Sequence, residues 1–278
     1  QIKNNIIDGV SIVCKTDTYA NAQTALSPAA LASKVITYLN NKLVDDDDHK
    51  GGSLLELDYV IASYIAAIRS LRFLPNASIS QYMMSDNNRG GVFLAGIPYH
   101  NMKLAGLSTI DSGDGFTLIE TQGLANLGGS TLSMDDSGTV AVTNPLWTTA
   151  YKLETPTAEG FTYKDLNKSD CATTAREYIF NNLKSYYAQA ALTAGDDSSN
   201  SLIRVASEKS IRAYIVGLWQ DLSGPDFAVL QGSASLLEEF KQNLIVNINT
   251  STGAVSGSMK FNLMGQLTSF DFDLTPNL

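Results

Sequence analysis

The longest apolar stretch of the chain, from Leu54 to Phe73, constrains its fold more than any other feature. Glu56, Asp58, Arg69 and Arg72 interrupt it, so it reads as a buried helix and not as a membrane span. Ser53 and Glu56 have the spacing of a capping box at its start. Leu57, Ile61, Tyr64, Ile65, Ile68 and Leu71 fall on one side. Leu55, Val60 and Ala67 make the other sides apolar too, so the helix is expected to be covered nearly all round. Early acids and late arginines suit the helix dipole. A chain of 278 residues is long enough to supply that cover, as one large domain or two modest ones.

Other elements follow from periodicity. Residues 9–14, "GVSIVC", form a short buried strand. Ser27 and Pro28 suit an N-cap and first helical residue, with Ala32, Val35, Ile36, Leu39 and Leu43 at helical spacing after them. Residues 77–143 are strand-and-loop sequence: "GVFLAG" (91–96), "TLIET" (117–121) and "TVAV" (139–142) alternate with Gly-, Asp- and Ser-rich turns. Pro145 and Pro156 flank a strand around Trp147 to Leu153. Helices are expected over 170–192, 200–221 and 234–243. The segments 243–249, 257–263 and 267–275 are expected as strands. The fold class is therefore α/β in a mixed α+β sense, with domains at 1–157 and 158–278.

A net charge of −9 and a pI near 4.7 leave no basic footprint for nucleic acid. Cys14 and Cys171 sit in apolar or helical contexts and are expected as reduced, buried thiols. The chain begins at Gln1 with no secretory signal, which points to a fragment or a processed product.

The polar motifs do not assemble a catalytic set. "VDDDDHK", 44–50, is the loudest, but consecutive carboxylates cannot all turn onto one ion. A solvated acidic loop explains it, and no metal or cofactor is expected. "DSGDG" (111–115) and "DDSG" (135–138) read as turns. His49 and His100 are the two histidines, and no G-x-S-x-G elbow accompanies either. No enzymatic activity is expected; an α/β hydrolase of unknown substrate, or another virion or surface structural protein, are the alternatives.

From about residue 77 onward, the order of segments resembles contractile tail sheath proteins of bacteriophages, of the phiKZ-like giant-phage or Mu-like type. The resemblance rests on Ala95-Gly96 and Leu104-Ala105-Gly106, then "GLANLGGSTLSMDDSGTVAVTNPLWTTAYK", then "FTYKDLNKSDCATTAREYIFNNLKSYY". "IRAYIVGLWQDL", "LLEEFKQNLIVNINT" and "GQLTSFDFDLTP" complete it. It implies a subtilisin-like core without protease activity and a C-terminal part of helices and a β-meander. It also implies a subunit that polymerises around a tail tube and contracts to drive the tube through a host envelope. The implied partners are other sheath subunits, tube and baseplate proteins, with no nucleic acid and no membrane insertion. The implied location is the virion tail, assembled in the host cytoplasm. On this resemblance the chain is expected to lack the family's N-terminal part.

The closing "SFDFDLT", 269–275, alternates strictly, the mark of a strand with one buried face. It is expected to close a small sheet with 243–249 and 257–263. Phe270, Phe272 and Leu274 would lie against the helix bearing Leu218 and Trp219, with Asp271 and Asp273 facing water. These five residues are the candidate subunit interface, where an arm from a neighbouring subunit would dock.

Overall fold

The computed structural model describes residues 11–26, 36–45, 50–52, 57–72, 99, 102–104, 107, 115–134, 140–143, 165–193, 205–224, 227 and 229–264. It is a mixed structure of helices and strands, in two compact units. The described residues up to Asp170 belong to the first unit and those from Cys171 to Met264 to the second.

Unit 1 is built on a sheet. Strand β1 (Ser11–Asp17) leads through helix α1 (Tyr19–Ala25) to β2 (Ile36–Asp45), which folds back on β3 (Lys50–Gly52). Helix α2 (Asp58–Arg72), strand β4 (Lys103–Leu104), helix α3 (Leu118–Asn126), β5 (Gly129–Met134) and β6 (Val140–Val142) follow. The strand order is β1-β2-β5-β6-β4, with β3 on the far end of β2. β1, β2 and β5 run parallel; β6 is antiparallel to both its neighbours.

Successive side chains of a strand point to opposite faces, and β2 shows what each face meets. Leu39 joins Cys14, Ile61, Ile65, Ile68, Leu132, Val140 and Val142 in the core under α2. Asn40 points the other way, towards α1 and α3, where Ala22, Leu26 and Leu124 cluster. A Cβ on Gly129 would fall 2.5 Å from Leu26 Cδ1 and 2.8 Å from Asn40 Nδ2, so any larger residue at the start of β5 would force these two side chains to shift.

Three expectations are corrected in this unit. The segment around Ile36, Leu39 and Leu43 is strand β2, not a helix. Its spacing of apolar residues fits a helix, but seven consecutive residues, Ile36 to Lys42, pair with β1, and burial on both faces hides the alternation. Residues 117–121 open a helix, not a strand. Thr117 caps α3 by accepting from the Glu120 N–H at 3.3 Å, and the Glu120 carboxylate accepts from the Thr117 N–H at 2.9 Å. Helix α2 is covered on one side only: Ile61, Ile65 and Ile68 are buried, whereas Leu57 and Tyr59 are 61% and 69% exposed. The apolar sequence of its outer face is not matched by cover.

Helix α4 (Leu166–Tyr186) starts in unit 1 and continues as the first helix of unit 2. There it is followed by β7 (Ala191–Leu192), β8 (Val205–Ala206), helix α5 (Glu208–Ser223), helix α6 (Ala234–Asn243), β9 (Ile245–Asn249) and β10 (Ala254–Ser258). α5 buries Ile211, Ile215, Leu218, Trp219 and Leu222, one helical face. Ser207 and Ser233 cap α5 and α6, as the residue type favours. Cys171, Ala175 and Ile179 of α4, Phe240 of α6 and Val246 of β9 complete the core. Trp219, Phe240 and Phe261 form a stacked column, with ring centroids 5.6 and 5.9 Å apart.

The expected strand at 257–263 is shifted. β10 spans 254–258, because Asn249 Oδ1 accepts from the Ser251 and Thr252 N–H groups and Gly253 takes φ +69°. That tight turn sets the register from Ala254 opposite Asn249 to Ser258 opposite Ile245. Residues 262–264 instead meet 229–231: the Gln231 N–H donates to the Asn262 carbonyl at 2.8 Å, and the Met264 N–H to the Val229 carbonyl at 3.1 Å. Residues 144–164 and 265–278, and with them the expected strand at 147–153 and "SFDFDLT", lie outside the described residues.

Candidate functional site

Phe270, Asp271, Phe272, Asp273 and Leu274 lie outside the described residues, as do His49, His100 and Asp46 to Asp48. Among the described residues no group of three or more His, Cys, Asp or Glu side chains is placed to hold a metal ion. No described helix is long and apolar enough to cross a membrane. The geometry that remains is two polar clasps in unit 1 and an open apolar surface on unit 2.

The first clasp joins the end of β1 to the start of α2. The Asp58 carboxylate accepts from the Thr16 N–H at 2.9 Å and from the Thr16 hydroxyl at 2.6 Å. Asn41 on β2 donates to the same hydroxyl at 3.0 Å. The buried Cys14 thiol lies 3.9 Å from Asp58, and burial, then that carboxylate, push its pKa far up. A thiol held protonated in this way is a poor nucleophile. Next to it, burial would raise the Asp17 carboxyl. Hydrogen bonds from Lys15, Asn21 and the Thr18 N–H outweigh that and hold it below its ordinary value. Asp58 and Asn41 thus tie β1 to α2 and β2, and Asp17 ties the end of β1 to α1.

The second clasp is deeper. Asp170, fully buried in the second turn of α4, accepts from Arg69 Nε and Nη2 at 3.0 and 2.8 Å and from the Tyr99 hydroxyl at 2.7 Å. The sequence suggests Arg69 as a cation suited to the end of α2; the structure uses it to neutralise a buried carboxylate. An arginine within an otherwise apolar helix was the available signal, but its partner lies 101 residues away.

On unit 2 the surface is apolar and open. Phe180 and Leu183 of α4, Tyr187 just after it, Leu192 of β7, Ile211 of α5 and Val255 of β10 line a groove of about 820 Å³. Lys184 is the charged residue among its described lining. Phe180 is 63% exposed and Val255 46%. All five residues of β10 are exposed, and among the described residues β10 pairs with β9 alone. Beside the groove, Tyr186 stacks on Tyr214 with centroids 4.2 Å apart, and Tyr187 meets both rings edge-on. Tyr186 is partly exposed, and its ring partner is on α5. Such an arrangement can bind by burial and by strand pairing.

No protein-family model matches the chain, and no curated protein matches it. Among solved structures, it matches a chain in the cryo-EM structure of the anti-feeding prophage (AFP) baseplate, 6-fold symmetrised. Identity is 12% over 87% of this chain, with a TM-score of 0.46. This chain spans 55% of the length of the one it matches.

Proposed function

We propose that the chain is a structural component of a phage-like contractile particle and, within that class, part of a tail sheath subunit. The observation that carries this reading is the order of the segments from residue 77 to the end, which resembles that of contractile tail sheath proteins. It rests on the sequence. The surface of unit 2 supports it by its chemistry: an exposed strand beside an apolar groove suits association with another chain. Helix α2 supports it as well, since an uncovered apolar face in unit 1 suits a subunit that works inside an assembly.

On this reading the chain makes no covalent chemistry. It polymerises around a tube, and contraction repacks the subunits as rigid bodies while strand-to-strand joints persist. The partners are other copies of the subunit, the tube and the baseplate. Negative-stain electron microscopy of the full-length protein tests this. Tubes of regular helical symmetry are the expected result. Only small, non-repeating particles over a wide range of protein and salt concentration would remove the sheath assignment. A fluorophosphonate probe separates the alternative hydrolase, because labelling of one serine would support that enzyme and no labelling is expected.

A further inference from the structure

We draw no further inference here: the strongest candidate, the open apolar groove of unit 2 between α4, β7–β8 and the β9–β10 hairpin, carries nothing because nothing in the structure shows what covers it.

Discussion

Among the described residues, unit 1 buries amides and carboxylates as well as the Tyr99 ring, whereas unit 2 buries rings without them. Asn40, Asn41, Asn167, Asp165 and Asp170 are all inside unit 1, whereas the buried polar side chains described in unit 2 are the hydroxyls of Thr173, Thr174 and Ser207. The core of unit 2 is instead led by Trp219 and Phe240. Polar groups in an interior pair with specific partners at specific distances, so a one-residue slip of β2 would strand both asparagines. Aromatic burial is nearly non-directional and tolerates small shifts. The two units therefore differ in what a substitution should do: loss of one charge should disrupt unit 1, and loss of volume should disrupt unit 2.

The largest effect is expected at Asp170. Asp170→Ala removes the carboxylate that neutralises Arg69 and satisfies the Tyr99 hydroxyl, and breaking such a buried pair costs about 3–5 kcal/mol. Urea unfolding measures it. Asp170→Asn keeps the volume and one acceptor, and should cost less. A loss under about 1 kcal/mol for the alanine variant would break the contrast between the units.

Phe240→Ala comes next, at about 3 kcal/mol, the low end of the range for a buried ring. The low end applies because its stacking neighbour Phe261 is only partly buried, so the site can relax on that side. Phe240→Leu should recover most of the loss if burial matters more than ring stacking. Equal losses for the two would show that the stacked column has a geometry of its own.

Ser207→Ala should cost about 1 kcal/mol, since the serine accepts from the Ser210 N–H at 3.1 Å and caps α5. Thermal unfolding followed by circular dichroism measures it.

The smallest effect is a pH dependence in unit 1. The Thr117 N–H holds the Glu120 carboxyl below its ordinary pKa; burial opposes this, and the Thr117 hydroxyl and Lys42 add to it. A carboxyl whose folded pKa lies below its unfolded one stabilises the fold above the unfolded value. That contribution is lost as pH falls through the folded pKa. Glu120→Gln should therefore cost stability at pH 7, and the cost should shrink on acidification below the ordinary carboxylate range. A cost independent of pH would show that only the neutral part of the capping box matters.

Legibility in the sequence follows the same division. α5 and α6 are legible from their apolar residues, Ile211 to Leu222 in the case of α5, but the start expected at 200 overlooks the Ser207 cap, which begins α5 at Glu208. β2 is not legible, because a strand buried on both faces, with Asn40 and Asn41 inside, shows no alternation. α3 was misread through its β-branched residues, although Thr117 and Glu120 already had capping-box spacing. The bounds of β10 are hidden in the sequence because the turn depends on the Asn249 side chain, a local device less conspicuous than the apolar residues further on. Of the surface on unit 2, the residues are visible in sequence but their convergence is not. Phe180 and Val255 come together only once α4, α5 and the hairpin pack.

The register of β2 has a consequence for how the chain reaches its native state. Asn41 meets Thr16 across 25 residues, and Asn40 meets Ser130 across 90. Each such meeting needs a large loop to close before its bonds reward it. The β9–β10 hairpin needs only the turn from Asn249 to Gly253. Helices and a hairpin of that kind form on the order of microseconds, whereas long-range parallel pairing is intrinsically slow. Pairing of β2 with β1 and β5 is thus expected to set the pace of folding in unit 1. Until β5 arrives, the side of β2 that will receive it remains an open edge, and that is the interval in which the growing chain is most exposed to wrong pairing.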